Sequence, residues 1–358
     1  MQALGQLASF KTEFEKGLGE LVHAEGVKAM KIDPQYAIFI KILEEFTMRG
    51  GKRIRPAFMY FSYLACGGED KVEIMKAARS VELLQTFLLM HDDLADRSDL
   101  RRGRPTTHRM FEKEFEKLGL LGNKEHFGQS TAMICGDIAH MLAYSSLMET
   151  NFPFDRREKA RKLFDRIMFD TAYGWYREML NTMKDGVVEN EVLRAMEYVS
   201  ARYTIAGPVG LGAILSGTNK KNLKILTEYG LKLGIAFQIQ DDILGMFGDE
   251  KEVGKPVNSD LLEGKKTLLY VGILEKLRQK NDMNGEKKFL AIYGKSDRLV
   301  DFNWVRDLMR NEGVLLEVKE KARRLAESAL GELTKGKFVG EGKEFLEGIA
   351  EYLVTRKV

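Results

Sequence analysis

A cluster of acidic residues follows an apolar stretch in the first third of the chain. The segment MHDDLADRSDLRRGRPTTH contains Asp92, Asp93 and Asp96 in the pattern DDxxD, directly after the apolar run 83–90. Asp92 and Asp96 are four positions apart, so on a helix their carboxylates share one face and repel each other. A bound cation would offset this repulsion, and Mg²⁺ prefers a few carboxylates, water and substrate phosphate. The spacing therefore predicts a magnesium site at a helix end.

A second acidic pair lies far downstream. In FQIQDDILGMFGDEKEVGKP, Asp241 and Asp242 again follow an apolar helical pattern, and Asp249 comes later. Two such helix ends facing each other would form a carboxylate-lined mouth that could hold more than one Mg²⁺ and so bind a diphosphate. A single DDxxD would be explained more simply as a solvated helix end. Two acidic motifs, each followed by glycine and basic residues, favour a diphosphate site.

Basic residues next to both acidic motifs could bind phosphate without a metal. Arg101 and Arg102 follow the first motif, and Lys255, Lys265 and Lys266 follow the second. Arginine and lysine donate hydrogen bonds to phosphate oxygens directly, whereas carboxylates bind phosphate through a metal. We interpret Lys266 as a solvated surface charge and the other four as candidate ligands.

A third basic group is the segment GGKRIRP, residues 50–56. Lys52 and Arg55 are three positions apart and would converge on one diphosphate if the segment opens a helix. The two preceding glycines would let the backbone approach the phosphate closely, and Pro56 would lie in an early helical turn. We interpret Arg53 as pointing elsewhere, as a surface charge.

Helical periodicity dominates the segments that must position these groups. In GVLLEVKEKARRLAESALGEL, apolar residues recur every three or four positions with charges between them. The same pattern appears in DPQYAIFIKILEEF, DKVEIMKAARSVELLQTFLLMH and YGLKLGIAFQIQDDIL. Sustained alternating runs, Gly/Ser linkers and breaks in composition are absent from the sequence. We therefore predict an all-α fold with a single domain over residues 1–358, although length alone would suggest about two domains.

Composition excludes several functional classes. With 56 Lys and Arg against 53 Asp and Glu, the chain lacks the basic excess of a general nucleic-acid binder. Cys66 and Cys135 give neither a disulfide framework nor metal-ligand spacing, which favours a cytoplasmic location. The N-terminal segment lacks the pattern of a signal peptide. The longest charge-free run, 203–219, is interrupted by glycine and proline, so it predicts a buried, kinked helix rather than a membrane span.

Taken together, these motifs resemble those of the trans-isoprenyl diphosphate synthases. The shared motifs, in the order typical of that family, are GGKRIRP, HDDLADRSDLRRGRPT, Gly136–Asp137, FQIQDDIL and GKPVNSDLLEGKKTLL. The match runs with gaps from about residue 50 to the C-terminal YLVTRKV, and its pattern is most similar to archaeal-type short-chain synthases. The resemblance implies a helical bundle around a deep central cavity, a homodimer, and Mg²⁺-dependent condensation of isopentenyl diphosphate with an allylic diphosphate.

The resemblance also implies roles for individual residues. By position, three groups are implied: metal ligands Asp92, Asp96 and Asp241; contacts to isopentenyl diphosphate Lys52, Arg55, Gln85 and Arg102; and contacts to the allylic diphosphate Arg101, Ser200, Gln238, Lys255 and Lys265. Ionising the allylic C–O bond leaves a diphosphate with extra negative charge, which Mg²⁺, Arg101, Lys255 and Lys265 would stabilise most in the transition state. We therefore expect Asp92, Asp96, Arg101 and Lys265 to carry the catalysis.

Three positions depart from the family pattern. Val199 and Ser200 stand where relatives have Lys-Thr, and the missing lysine would contact the allylic diphosphate. Arg202 could partly replace that lysine. Gly245 replaces the third acid of the second motif, and GWYRE at 174–178 replaces a Gly-Gln-x-x-Asp phrase. These departures bear on activity rather than on the family.

Product length is predicted from the residues that precede the first motif. Phe87 lies five positions before Asp92 and is followed by Leu88, so one aromatic residue precedes the motif here rather than two. In relatives, a single aromatic side chain at these positions is typical of synthases that make the twenty-carbon geranylgeranyl product. Phe87 could equally be an ordinary core residue, since apolar residues surround it.

Several alternative functions stay open at this point. The chain could make the fifteen-carbon farnesyl product, or it could be a weakly active partner subunit of a heteromeric synthase, as Val199 and Gly245 would allow. A metal phosphohydrolase using His91 and Asp92 would need further clustered histidines. A terpene cyclase would have no need of the isopentenyl diphosphate contacts.

Overall fold

The computed structural model describes residues 2–248 and 259–354, and helices dominate both ranges. In chain order the α-helices are α1 Gln2–Ile32, α2 Pro34–Met48, α3 Ile54–Ala65, α4 Lys71–Ala95, α5 Thr107–Lys117, α6 Lys124–Met148, α7 Phe154–Met183, α8 Glu189–Met196, α9 Gly207–Ser216, α10 Lys220–Phe247, α11 Ser259–Leu262, α12 Leu268–Gln279, α13 Met283–Ile292, α14 Leu299–Asn311, α15 Val314–Leu333 and α16 Gly340–Val354. A π-helix, Glu197–Ala206, joins α8 to α9. Strands β1, Leu100–Arg101, and β2, Arg104–Pro105, form an antiparallel hairpin. The prediction of an all-α fold is confirmed.

The residues group into two compact units according to their internal contacts. The first unit is Met1–Arg161, Leu211–Gly217 and Val339–Phe345, and the second is Lys162–Gly210, Thr218–Phe338 and Leu346–Val358. The chain passes from one unit to the other five times, so neither unit is a continuous stretch of sequence.

Helix α4, in the first unit, carries the first acidic motif. Its N-terminus is capped by Asp70, whose carboxylate accepts a hydrogen bond from the N–H of Glu73 at 2.9 Å. Leu83 and Leu84 are almost completely buried where α4 packs against α3 and α6. Burying one such side chain contributes about 1.5–3 kcal/mol of stability relative to leaving it in water. The helix ends at Ala95, so the acidic motif occupies its last turn.

Helix α10, in the second unit, carries the second acidic pair. Its N-cap is Asn219, whose side chain accepts a hydrogen bond from the N–H of Asn222 at 2.9 Å. The helix packs against the π-helix and α15. The buried hydroxyl of Tyr229 donates to the carbonyl of Leu346 at 2.6 Å. These contacts hold α10 along its length, and they thereby hold the acidic pair near its C-terminal end in position within the second unit.

The charge-free run 203–219 lies at the end of the π-helix and in α9, and most of it is buried as predicted. Its irregularity is the change from π-helical to α-helical hydrogen bonding at Gly207. Within the described ranges, every helix is too short or too polar to cross a bilayer.

His108, near the start of α5, makes stability depend on pH. Its side chain is buried and Nδ1 lies 3.2 Å from the hydroxyl of Thr106. Burial, assisted by the nearby charge of Arg109, lowers the pKa of His108 below its usual 6.5. Because the unfolded chain then binds the proton more readily, the free energy of unfolding should decrease as the pH falls below about 6.5.

Denaturant titrations between about pH 5 and about pH 8 would measure this dependence. His108→Gln should flatten the curve in that range, whereas His126→Gln, at an exposed histidine, should leave it unchanged. An unaltered slope in the His108 variant would assign the pH dependence to other groups.

Candidate active site

An arginine holds the first acidic motif together. Arg101 Nε donates to Asp93 Oδ1 at 2.7 Å, and Nη2 donates to Asp92 Oδ2 at 2.9 Å. Burial alone would lower the pKa of Arg101, but the ion pairs with Asp93 and Asp92 outweigh burial and raise it. The side chain of Asp93 is completely buried, whereas that of Asp92 is 36% exposed. Asp93 therefore anchors Arg101, and Asp92 remains accessible to a ligand.

Asp96 and Asp92 lie on the same turn, as the spacing predicted. Asp96 is the C-cap of α4, and its N–H donates to the carbonyl of Asp92 at 2.8 Å. Among the described residues, no three Asp, Glu, His or Cys side chains converge into a preformed metal site. Mg²⁺ does not require one, because water and substrate phosphate normally complete its shell. The oxygen donors of Asp92 and Asp96 fit such a partly solvated ion.

The β1–β2 hairpin brings Arg102 to the GGKRIRP segment. Its Nη1 donates to the carbonyl of Gly50, and a Cβ added at Gly51 would lie 2.9 Å from its Nη2. Arg102 has φ +55° and Gly51 has φ +128°. A non-glycine residue in the left-handed region costs about 1–3 kcal/mol. The surrounding contacts of Arg102, including its hydrogen bond to Gly50, must offset this strain. Glycine at 51 is needed both for its own φ and for the close approach of the guanidinium.

The GGKRIRP segment opens a helix as predicted, since α3 begins at Ile54 and Pro56 lies in its first turn. At this end of α3, Lys52 is exposed and Arg55 is half-buried. Arg55 lies close enough to Arg102 to lower the pKa of that guanidinium. The structure thus brings Arg55 close to Arg102, two of the three basic residues assigned to isopentenyl diphosphate by resemblance, and leaves Lys52 exposed just before α3.

The interpretation of Arg53 as a surface charge is wrong. The residue is 3% exposed, with φ +50° just before α3. Its Nε donates to Glu15 Oε1 at 3.0 Å, its Nη2 donates to the carbonyl of Thr47 at 3.0 Å, and its Nη1 donates to Glu82. The left-handed turn directs the side chain inward, so Arg53 joins α1, α2 and α4 to the start of α3.

A cavity in the first unit is lined by four arginines, among them Arg53 and Arg102, but not by Lys52 or Arg55. Its polar lining includes Arg49, Arg53, Glu82, Gln85, Arg101 and Arg102. Among the described residues, Glu82 is the only carboxylate that lines this cavity. Gln85 is 8% exposed, and its Oε1 has no hydrogen-bond partner within the described part of the chain. The excess of positive charge suits an anion such as phosphate, whereas the unpartnered oxygen of Gln85 is an acceptor and would need a donor.

A second cavity lies in the second unit and contains residues assigned to the allylic diphosphate. Its lining includes Glu178, Val199, Gln238, Asp242, Lys265 and Lys266. Gln238 Nε2 donates to Asp242 Oδ1 at 2.8 Å, and Lys265 Nζ lies 3.3 Å from Glu178 Oε1. The structure therefore brings Gln238 and Lys265 into one cavity. Asp241, on α10, is half-buried, and Lys255 and Asp249 lie outside the described residues.

Lys266 is not the solvated surface charge that we predicted. It is half-buried and lines the second cavity. Its Nζ lies 4.1 Å from the ring centroid of Tyr270 and 3.0 Å from the hydroxyl of that residue. Such a cation–π contact holds the ammonium at one place in the cavity wall.

The π-helix carries the departures at 199 and 200. Val199 is half-buried in the second cavity, and Ser200 is 4% exposed. A Cβ at Gly174 of α7 would lie 2.1 Å from the backbone nitrogen of Val199, so glycine is required for this close packing. Arg202, suggested as a substitute cation, instead donates to Glu197 at 3.0 Å and to Asp170 at 2.8 Å. Its charge is already compensated by these two carboxylates.

Phe87 packs between two histidine rings. Its ring centroid lies 4.5 Å from that of His91 on α4 and 5.1 Å from that of His140 on α6. Phe87 and Leu88 are both half-buried. His91 Nε2 lies 3.1 Å from the carbonyl of Met133. His91 therefore takes part in helix packing, and within the described residues it belongs to no cluster of metal-ligating side chains of the kind a metal phosphohydrolase would need.

Sequence reasoning missed two acidic residues at these cavities. Glu82 occupies a buried position within the apolar pattern RSVELLQTFLLM, and an acid in such a position usually has a buried partner. That pattern could have indicated its role. Glu178 lies within the divergent GWYRE phrase, and nothing local to that phrase indicates its contact with Lys265.

Comparison with known proteins identifies the family to which this geometry belongs. The model of the polyprenyl synthetase family matches residues 37–301, well over half of the chain. The chain belongs to the polyprenyl synthetase family. This polyprenyl synthetase is a trans-prenyltransferase, as its motifs predicted.

Curated relatives resemble the chain over most of its length. A geranylgeranyl diphosphate synthase of Saccharolobus solfataricus is 32% identical over 327 residues, which cover 88% of this chain and 91% of the relative. A geranylfarnesyl diphosphate synthase of Aeropyrum pernix is 30% identical over 312 residues, covering 86% and 91%. A crystal structure of the Corynebacterium glutamicum geranylgeranyl pyrophosphate synthase, in complex with isoprenyl diphosphate and magnesium, has a TM-score of 0.92 at 29% identity and covers 98% of this chain and 99% of that one.

Proposed function

We propose that this polyprenyl synthetase, as a single domain over residues 1–358, condenses isopentenyl diphosphate head-to-tail with allylic diphosphates to form geranylgeranyl diphosphate. One observation carries the proposal: Arg102 and the start of α3 meet at an arginine-rich cavity beside the DDxxD motif. An anion site next to paired carboxylates suits a reaction that binds one diphosphate by cations and another through a metal.

Isopentenyl diphosphate would be bound by Lys52, Arg55 and Arg102. The amide of Gln85 would donate to a phosphate oxygen from the cavity wall. Because these donors are side chains of the protein and not a bound metal, the isopentenyl diphosphate site would be positively charged before the allylic diphosphate binds. The double bond of isopentenyl diphosphate would then be held ready for attack on an allylic cation.

The allylic diphosphate would be the leaving group. Arg101, Lys255 and Lys265 would donate to its oxygens as the C–O bond breaks and its electron pair passes to the diphosphate, with Gln238 and Ser200 as further contacts. Lys266 is the additional cation at this cavity. The double bond of isopentenyl diphosphate forms the new C–C bond, and the proton lost afterwards passes to the released diphosphate.

We propose Asp92 and Asp96 in the first unit and Asp241 in the second as ligands of Mg²⁺. When bound, the metal would neutralise part of the diphosphate charge. Asp93 would not join them, because it is buried against Arg101. Arg101 would thereby be held at the edge of the metal site, within reach of the same phosphate.

The product assignment rests on Phe87 and on the relatives. Relatives are named as geranylgeranyl and as geranylfarnesyl diphosphate synthases, and these names refer to products of twenty and twenty-five carbons. Phe87 is the one aromatic residue directly before the first motif and contacts α6 through His140. A farnesyl product is the alternative if this ring stops growth one step earlier.

We also propose a cytoplasmic homodimer. Three apolar side chains on one face of α6 are half or more exposed, Met133 at 50%, Ile134 at 53% and Met141 at 57%. A second copy of the chain would remove this face from water. The sequence has only two cysteines, Cys66 and Cys135, and the side chain of Cys135 is buried, which supports a reducing compartment.

Incubation of the purified protein with isopentenyl diphosphate and Mg²⁺, using allylic primers of five, ten and fifteen carbons, tests the proposal. We expect mainly the twenty-carbon diphosphate from each primer, as measured by mass analysis. A fifteen-carbon product from the two shorter primers would support the farnesyl alternative. No product with any primer would favour a partner subunit, in which Val199 leaves the second cavity short of one cation.

A further inference from the structure

Arg102 differs from its neighbours in the first cavity. The side chains of Arg49, Arg53 and Arg101 are 9% exposed or less, and each is paired with a carboxylate. Arg102 is exposed, and its hydrogen bond is to the carbonyl of Gly50. Within the described part of the chain it has no ion pair. It is therefore the one arginine of this cavity that can bind an incoming anion without first giving up a carboxylate.

Glu82 is the carboxylate that could form an ion pair with Arg102 and so prevent it from binding an anion. It lines the same cavity, and its side chain is only 6% exposed. An ionised carboxylate at such a site requires a cation or several donors. In the structure, Arg53 satisfies it through Nη1. Nε and Nη2 of Arg53 are bound to Glu15 and Thr47, so all three nitrogens of the guanidinium are committed.

We propose that Arg53 is a positioning residue, which neutralises Glu82 so that Arg102 stays free to bind the diphosphate of isopentenyl diphosphate. This inference rests on the proposed function, because it assigns Arg102 to that substrate. Arg53 does not touch the substrate. Its role is to occupy the one carboxylate of the cavity that would otherwise attract Arg102 away from the diphosphate.

The charges around Arg102 agree with this arrangement. Desolvation lowers the pKa of Arg102, Glu82 raises it, and Arg53, Arg101 and Arg55 lower it. Glu82 and Arg102 are thus close enough to interact across the cavity. Removing Arg53 would remove a repelling cation and expose Glu82 to Arg102 at the same time, and both changes favour a new ion pair between Glu82 and Arg102.

A set of substitutions separates this role from a general loss of structure. Arg53→Met should raise the KM for isopentenyl diphosphate about tenfold or more, since Arg102 is captured by Glu82, while the KM for the allylic primer stays within about threefold. Arg53→Met/Glu82→Gln should bring the isopentenyl KM back to within about threefold of the Glu82→Gln protein, because no carboxylate remains to capture Arg102. Denaturation curves at the assay temperature establish that each variant is folded.

Glu15→Gln is the matched control. It removes another carboxylate partner of Arg53 but leaves the pair with Glu82, so the isopentenyl KM should not change. Arg53→Lys should keep the KM for isopentenyl diphosphate close to that of the wild type, because a lysine can still neutralise Glu82.

Two results would overturn the inference. One is an equal rise in both KM values in Arg53→Met, and the other is a double variant as impaired as the single one. If Arg53→Met is unfolded, Glu82→Gln and the double variant still test the inference. A folded double variant whose KM for isopentenyl diphosphate is about tenfold higher than that of Glu82→Gln would contradict the inference. A wild-type protein that forms no product would instead overturn the proposed function itself.

Discussion

Asp92→Asn should lower turnover about a thousandfold and leave the fold nearly unchanged. The side chain is 36% exposed at the end of α4, and a neutral amide is a weaker ligand for Mg²⁺ than a carboxylate. Arg101 keeps its bond to the buried Asp93, so the guanidinium stays in place. We therefore expect the free energy of unfolding to change by less than about 1 kcal/mol.

Asp99→Asn is the matched control for this prediction. Asp99 is also an aspartate paired with an arginine, Arg109, at 2.8 Å, but its side chain is 67% exposed and it lies outside both cavities. Steady-state turnover with saturating substrates and Mg²⁺, together with denaturant unfolding, should be measured for both variants. Turnover in Asp92→Asn within tenfold of wild type would contradict the assignment of Asp92 as a metal ligand.

Phe87→Ala should shift most of the product to chains longer than twenty carbons. The ring fills the space between His91 on α4 and His140 on α6, and its removal leaves room for further five-carbon units. Mass analysis of the product from a fifteen-carbon primer would measure the shift. An unchanged product length would make Phe87 an ordinary packing residue.

Two further substitutions on α4 serve as comparisons. Leu88→Ala, at the neighbouring half-buried position, should change the product less, because no aromatic ring is removed. Met90→Ala, at a fully buried position, should lower the free energy of unfolding by about 2–5 kcal/mol without changing product length. A longer product from Met90→Ala would mean that loosening α4, rather than opening space at Phe87, controls the length.

The helices and the acidic helix end were accessible from sequence because both depend on local spacing. Apolar periodicity locates α4, and the DDxxD pattern places Asp92 and Asp96 on one turn regardless of tertiary contacts. The start of α3 followed similarly from Pro56. In each case the residues that decide the structure lie within a few positions of one another.

Arg53 and Lys266 were misinterpreted because their environments are set by distant residues. Arginine rarely adopts a positive φ, so nothing in GGKRIRP indicates that Arg53 turns inward toward Glu15 and Glu82. Lys266 contacts the nearby Tyr270, but it lines a cavity with Glu178 and Gln238, which are far from it in the sequence. Both sites required the fold to reveal which charges are desolvated.

The order in which the chain is synthesised conflicts with the order in which its units can be completed. Residues 339–345 belong to the first unit, yet they follow nearly all of the second unit in the sequence. Val339 donates its N–H to the carbonyl of Ala65 at 3.0 Å, and the ring of Phe345 stacks on that of Phe61 at 3.9 Å. On the ribosome, this surface of α3 must therefore stay uncovered until residues 339–345 have been synthesised. The helix that begins at the GGKRIRP segment is thus covered only after most of the second unit has been synthesised.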